Sequence, residues 1–213
     1  LDEYMAPRFL GMFFGAFSAE SAQRGMSRLQ GRLGETIAIP ELTLLDDPHR
    51  QGANRSCFLD AEGFLTKPLS LIEEGVFRNF LYHVESANKE KKSSTGHAVR
   101  GYSGGISTRS HNLVWPTGEL NLEQLCAQNS KCLLVTQLEG QAGCNPVSGD
   151  ISIGVQGFLI ENGRRIQPVD SITLAGNFFD VLLNIRGSGN TYQPELTHSF
   201  IPALLIEGLT VSG

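Results

Sequence analysis

The chain has 213 residues, of which 40% are hydrophobic and 18% charged, a balance that supports a folded core and excludes a disordered polar chain. Its formal net charge is −5, so no basic surface for nucleic acid is advertised and direct DNA contact is not expected. No apolar run approaches the roughly eighteen residues a membrane helix needs, and no signal-peptide pattern is read at the start, so no membrane association is expected.

The chain begins at Leu1 and enters a helical pattern at once, which suggests that a native N-terminal region precedes it. From Pro7 to Gln23, Phe9, Phe13 and Phe17 recur with Leu10, Met12, Phe14 and Ala16 at steps of three and four, the period of a buried helix. Pro7 suits the first turn and Gly25 the exit. Gly11 and Gly15, four apart, suggest close approach of another backbone.

Thr36–Leu45 reads as one or two strands that end in Asp46-Asp47-Pro48-His49. Two carboxylates beside a histidine suggest metal or acid–base chemistry, but Asp before Pro is turn chemistry, with the carboxylates accepting local backbone N–H groups, and that reading is preferred. Cys57–Pro68 is a hairpin with Ala61-Glu62-Gly63 at its tip, and Leu69–Val84 supplies two further strands. Glu85–Lys91 is a helix end. The stretch to Thr108, rich in Lys, Ser and Gly, shows no period and reads as a long irregular loop. In or beside it stand His97, Arg100, Tyr102 and His111, candidates for lining a groove that receives an extended peptide, with Gly96, Gly104 and Gly105 letting backbone approach backbone; the alternative is a solvated loop.

Leu120–Gln128 reads as a short helix and Leu133–Leu138 as a buried strand. In the turn-rich Glu139–Asp150, Cys144 is the thiol to test for reactivity, although no base stands beside it. Cys57, Cys126, Cys132 and Cys144 form no Cys-x-x-Cys pair, so buried reduced thiols are expected rather than a zinc site, in keeping with a cytoplasmic protein.

The stretch that organises the chain is Gly157–Asn177, GFLIENGRRIQPVDSITLAGN. Asn162-Gly163 occupies the centre of a type I′ hairpin turn, where φ is positive at both residues. Pro168 has no N–H for a sheet ladder, so the return strand is an edge or ends there. Asn177 caps a helix over Phe178–Ile185, and Phe200–Val211 closes the chain as a strand or strand pair. Leu71–Leu81 repeats the Leu-Ile-Glu-x-Gly signature of Leu159–Gly163, either by tandem duplication or as an independent hairpin. Many short strands with glycine turns and three or four helices give the fold class α+β, mainly antiparallel β-sheet with a few helices.

Gly157–Asn177, with the preceding LLVTQLEGQAGCNPVSGDISIGVQ and with Leu44–Gly75 (LLDDPHRQGANRSCFLDAEGFLTKPLSLIEEG), resembles the C-terminal domain of the TldD/PmbA family, on the PmbA (TldE) side, and the resemblance reaches almost from end to end of residues 1–213. It implies a cytoplasmic metallopeptidase system acting on unfolded or extended peptides, linked to peptide maturation, antitoxin turnover and modulation of DNA gyrase. In catalytic TldD-type members the helix near the start carries His-Glu-x-x-x-His, with a further cysteine ligand close to the C-terminus. The shared glycines of Gly25–Glu35 place Leu10, Gly11 and Gly15 on those three positions, and no cysteine follows Cys144. The resemblance therefore implies a chain without catalytic residues or cofactor of its own, with zinc expected only in a TldD-type partner subunit; a homodimer is the other pairing the family suggests. The rival readings are a stand-alone peptidase using an earlier region or His97, His111 or Cys144, and a non-enzymatic protein that binds gyrase.

Overall fold

The computed structural model describes residues 1–140, 142–194 and 197–213. In chain order its helices are α1 (Met5–Gly11), α2 (Ala19–Gln23), α3 (Val84–Lys89), α4 (Leu122–Ala127) and α5 (Phe178–Leu183). Its strands are β1 (Leu44–Asp46), β2 (Leu69–Glu73), β3 (Val76–Phe77), β4 (Ala98–Arg100), β5 (Ile106–Thr108), β6 (Leu113–Val114), β7 (Lys131–Glu139), β8 (Asp150–Glu161), β9 (Arg164–Asn177), β10 (Ile185–Ser188), β11 (Ser199–Phe200), β12 (Leu204–Ile206) and β13 (Thr210–Ser212). All strand pairs but β6–β11 are antiparallel, so the α+β class dominated by antiparallel sheet holds, as five short helices beside the strands.

The elements divide into two compact units. One contains α1, α4, α5, the sheet β13-β9-β8-β7 and the pair β10–β12. β8 shows why this chain makes sheet: Ile151, Ile153, Val155 and Gly157 alternate onto a buried face, and the phase changes beyond Gly157, where the register shifts between Leu159 and Ile160 and Ile160 is again buried. At Gly157 a side chain would run into the Leu134 carbonyl across the ladder, so only glycine lets β7 and β8 approach there. The turn between β8 and β9 has φ of 49° at Asn162 and 75° at Gly163, the two left-handed positions that Asn-Gly specifies. β9 runs on through Pro168 to Asn177; β13 covers only its Thr173–Ala175 stretch, which leaves Pro168 on an open edge. Asn177 Oδ1 accepts from the Phe179 N–H and caps α5. That helix delivers Phe178 to a stacked contact with Phe13, ring centres 4.8 Å apart, while Phe9 meets Phe13 edge to face.

The second unit runs from Phe14 to Trp115, with a returning segment that ends at Phe200. Its sheet has the order β11-β6-β1-β2-β3, which places β1 at the centre. The β2–β3 turn, Glu74-Gly75, also has positive φ at both residues, so the repeated Leu-Ile-Glu-x-Gly phrase makes the same two-residue turn in both units. Phe17, Phe77, Phe80 and Tyr82 form a chain of edge-to-face rings. Cys57–Pro68 turns at Asp60–Gly63 and closes with a single bridge between Leu59 and Leu65.

Two expectations are corrected. The Pro7–Gln23 helix is broken: α1 ends at Gly11, Phe14–Phe17 forms a 3₁₀ turn, and α2 starts afresh from Ser18, whose Oγ accepts the Ser21 N–H. Gly11 and Gly15 lie at this interruption, and a side chain at either would meet nothing within 4 Å, so they admit no close backbone; they are open, flexible positions where a helix gives way. The stretch before Thr108 is also not irregular, since β4 and β5 pair there as a hairpin with Gly101–Gly105 at its end. Among the described residues, no helix is long and apolar enough to cross a membrane.

Candidate functional site

β1 alternates buried Leu44, half-buried Leu45 and buried Asp46, so the period of two that buries Leu44 also drives a carboxylate into the interior. Backbone pairing to Leu69 on one side and Leu113 on the other fixes Asp46 in the middle of the sheet. A buried charge must be matched by donors. Asp46 Oδ2 accepts from His97 Nε2 at 2.6 Å, from His111 Nδ1 at 3.0 Å and from the His111 backbone N–H at 3.1 Å. The preferred turn reading of Asp46 is thus corrected: Asp47 accepts the His49 N–H as a turn residue does, whereas Asp46 belongs to the sheet interior. Burial opposes the Asp46 charge, but the hydrogen bonds from His111 and His97 and the nearness of both rings outweigh it and hold the carboxyl at about 2.

The two histidines come from segments that enter strands. His97 precedes β4, is 1% exposed, and its Nδ1 lies 2.9 Å from Thr95 Oγ1, so both ring nitrogens are committed. His111 precedes β6 through the buried Asn112, which donates to the Asp47 carbonyl and to Ser56 Oγ and accepts the Arg55 N–H. These bonds fasten His111 and Arg55 to the end of β1. The rings of His97 and His111 lie 4.7 Å apart.

Asp46, His97 and His111 offer one ligand-type atom each within 4.8 Å of one another. As placed, oxygen and nitrogen at 2.6 Å stand at hydrogen-bond separation, whereas two ligands on one zinc ion with tetrahedral angles stand roughly 3.3 Å apart. The set is arranged around protons. Asp46 Oδ1 is buried and has no hydrogen-bond partner among the described residues, so the donors converge on the other oxygen.

Beside the cluster lies a cavity of about 360 Å³, lined by His111, Arg55, Arg100, Arg109, Cys57 and Asp60. Asp60 is already engaged by the backbone N–H groups of Glu62, Phe64 and Ala98. Burial and the neighbouring Arg109 both push the Arg55 guanidinium below its ordinary range, with Asp46 acting against them. Burial likewise lowers His198, helped by the charges of Arg55 and Arg109. Of the groove candidates read from the sequence, Arg100 and His111 line this cavity, His97 is buried behind it, and Tyr102 stands fully exposed in the β4–β5 turn. Arg55 and Arg109 were missed; their spacing carries no signal, and only the fold brings them together.

A family model for the PmbA/TldA metallopeptidase C-terminal domain matches residues 1–213. The chain belongs to the PmbA/TldD family. Its PmbA relatives include the metalloprotease PmbA of Escherichia coli, 36% identical over 189 residues that cover 89% of this chain and 40% of that protein. A Haemophilus influenzae homologue of PmbA is 36% identical across 98% of this chain and 44% of its own length. Among solved structures, a Thermotoga maritima protein whose proposed role is modulation of a DNA gyrase superposes with a TM-score of 0.87 at 34% identity, covering 95% of this chain and 46% of that one. TldE from Thermococcus kodakarensis superposes with a TM-score of 0.84 at 29% identity, covering 96% and 48%. The chain therefore spans less than half the length of these PmbA/TldD relatives. Within this PmbA/TldD chain, Leu10 on α1 is fully buried among apolar residues, and Gly11 and Gly15 have no side chain to offer a metal or a proton.

Proposed function

We propose that this chain is the C-terminal part of a PmbA/TldE-type subunit that does not itself hold the catalytic metal, and that it works in the cytoplasm with a metal-bearing TldD-type subunit on unfolded or extended peptides. The observation that carries the reading is the state of Leu10, Gly11 and Gly15. These positions correspond by resemblance to the two histidines and the glutamate of the catalytic members, yet they present a buried hydrocarbon and two bare backbones, and the helix that would hold three groups on one face stops at Gly11. The family's zinc does not fit these residues, because ligation needs lone pairs and water activation needs a base. The role left to the chain is to hold the substrate, through the cavity beside His111.

The experiment is metal content and peptide cleavage by the full-length protein, alone and mixed with a TldD-type partner. Activity only in the mixture, with zinc following the partner, is the expected result. Stoichiometric zinc and chelator-sensitive cleavage by the protein alone would overturn the reading and favour a stand-alone peptidase. A second reading, a protein-binding modulator of gyrase, is supported by the proposed role of the Thermotoga maritima neighbour. A pull-down that recovers a TldD-type protein and no gyrase subunit counts against it.

A further inference from the structure

The cavity beside the Asp46 cluster has a composition that the proposed function does not by itself explain. Three guanidinium groups, from Arg55, Arg100 and Arg109, border a space of about 360 Å³ in a chain whose net charge is negative. Like charges are not gathered around a cavity without cost, because each raises the energy of the others, and the half-buried Arg55 also loses part of the water that would screen it. Among the described residues, none of the three forms an ion pair with a carboxylate. The one acid lining the cavity, Asp60, spends its oxygens on three backbone N–H groups.

The placement is built. Arg55 is tied through its own N–H to Asn112, and Asn112 to the Asp47 carbonyl, so its backbone is fixed to the centre of the sheet. Arg100 and Arg109 sit at the two margins of the β4–β5 hairpin, and the Arg109 N–H donates to the His97 carbonyl. His111 presents the ring edge turned away from Asp46, since its Nδ1 is held by that carboxylate. Leu59, Ala61, Ala98 and Val99 give the cavity an apolar wall, and Asn54, Ser56 and Ser110 complete the lining with polar groups.

We propose that this cavity is a carboxylate-binding site that takes the free C-terminus of a peptide, with Arg55, Arg100 and Arg109 around the anion and the apolar wall against the last side chain. Guanidinium groups match the planar carboxylate by paired N–H donors. The site suits a monoanion better than a phosphate dianion, because Asp60 at the wall and Asp46 behind His111 offset part of the positive charge. The same charge repels a peptide amine, which sets the direction in which a chain enters. The peptide as ligand rests on the proposed function; the preference for a carboxylate rests on the cavity alone.

The test is calorimetric titration of the full chain with an N-acetylated tetrapeptide ending in leucine, as the free acid and as the C-terminal amide, with inorganic phosphate as a third probe. The acid is expected to bind at least about tenfold more tightly than the amide, a difference of about 1.4 kcal/mol. Arg55→Gln brings the acid to the level of the amide, and the more exposed Arg109→Gln gives the same loss if Arg55→Gln does not fold. Arg78→Gln, which removes a surface partner of Glu73, leaves both unchanged. Equal binding of acid and amide, no binding of the acid, or phosphate binding more tightly than the acid would each overturn the proposal. Equal binding of both peptides would leave a peptide-holding role standing while the carboxylate anchor falls. Cleavage in the mixed subunits that is indifferent to this chain would remove the peptide-holding role, whatever the acid-to-amide ratio.

Discussion

Replacing Asp46 by Asn tests the central cluster while keeping its shape. The folded carboxyl titrates at about 2 against an ordinary value of 3.8. On acidification the unfolded chain therefore takes up the proton first, so the contribution is complete above about pH 4, drains between about pH 4 and pH 2, and is gone below. Its size is about 2–3 kcal/mol, the free-energy equivalent of lowering the carboxyl from 3.8 to about 2. The Asp46→Asn variant is expected to lose more than this at pH 7. Two charge-assisted hydrogen bonds from His97 and His111 become ordinary ones, and the amide NH₂ falls where Oδ1 has no partner, a buried donor with nothing to donate to. Together these cost about 3–5 kcal/mol. Urea unfolding followed by fluorescence of Trp115, at pH 7 and at half-unit steps down to pH 2, reads both numbers. A midpoint within 1 kcal/mol of the parent at pH 7 (with the same slope), or an acid limb of the same depth in the variant, would refute the account.

Other positions give independent expectations. Gly157→Ala drives a methyl group into the Leu134 carbonyl across a rigid ladder and is expected to destabilise by about 2–3 kcal/mol, whereas Gly11→Ala meets nothing and is expected to be neutral or stabilising by up to about 1 kcal/mol; thermal melts of both separate them. Asn121→Ala removes the side-chain oxygen that accepts the Gln124 N–H at the start of α4, while the Asn121 backbone N–H can still donate to Gln124 Oε1, and should cost about 1 kcal/mol by urea unfolding. Burial and the neighbouring Cys126 push the Cys132 thiol up to about 11, so at pH 8 a disulfide reagent followed by mass spectrometry should label Cys144 well before Cys132; equal rates would contradict this.

What was readable in the sequence was local. The Asn162-Gly163 turn, the Asn177 cap and the α+β class each depend on neighbours within a few residues, and each is where it was expected. Asp46 was misread because its partners lie 51 and 65 residues away, while the Pro two positions on advertises a turn that Asp47 does make. The β4–β5 hairpin escaped because three-residue strands are too short to display a period of two, and the glycines between them look like a loop. The helix through Gly11 and Gly15 had the right apolar spacing, but two glycines in one stretch weaken it by about 2 kcal/mol, and the chain breaks there. The arginines of the cavity belong to two separate segments, Arg55 to one and Arg100 with Arg109 to the β4–β5 hairpin, so no short window of sequence contains all three.

The open stretch of β9 has a bearing on how the protein survives at high concentration. Between Arg164 and Ile172 its outer edge has no neighbouring strand among the described residues, the arrangement from which fibrils grow by adding one chain edge to another. Arg164, Arg165 and Asp170 place charge along that margin, and Pro168 removes a donor midway, so an incoming strand meets a gap in the ladder. Those residues act as a guard on the growth of aggregates, and exchanging them for valines would be expected to turn a well-behaved solution into one that deposits thioflavin-positive material, with the fold of each molecule intact.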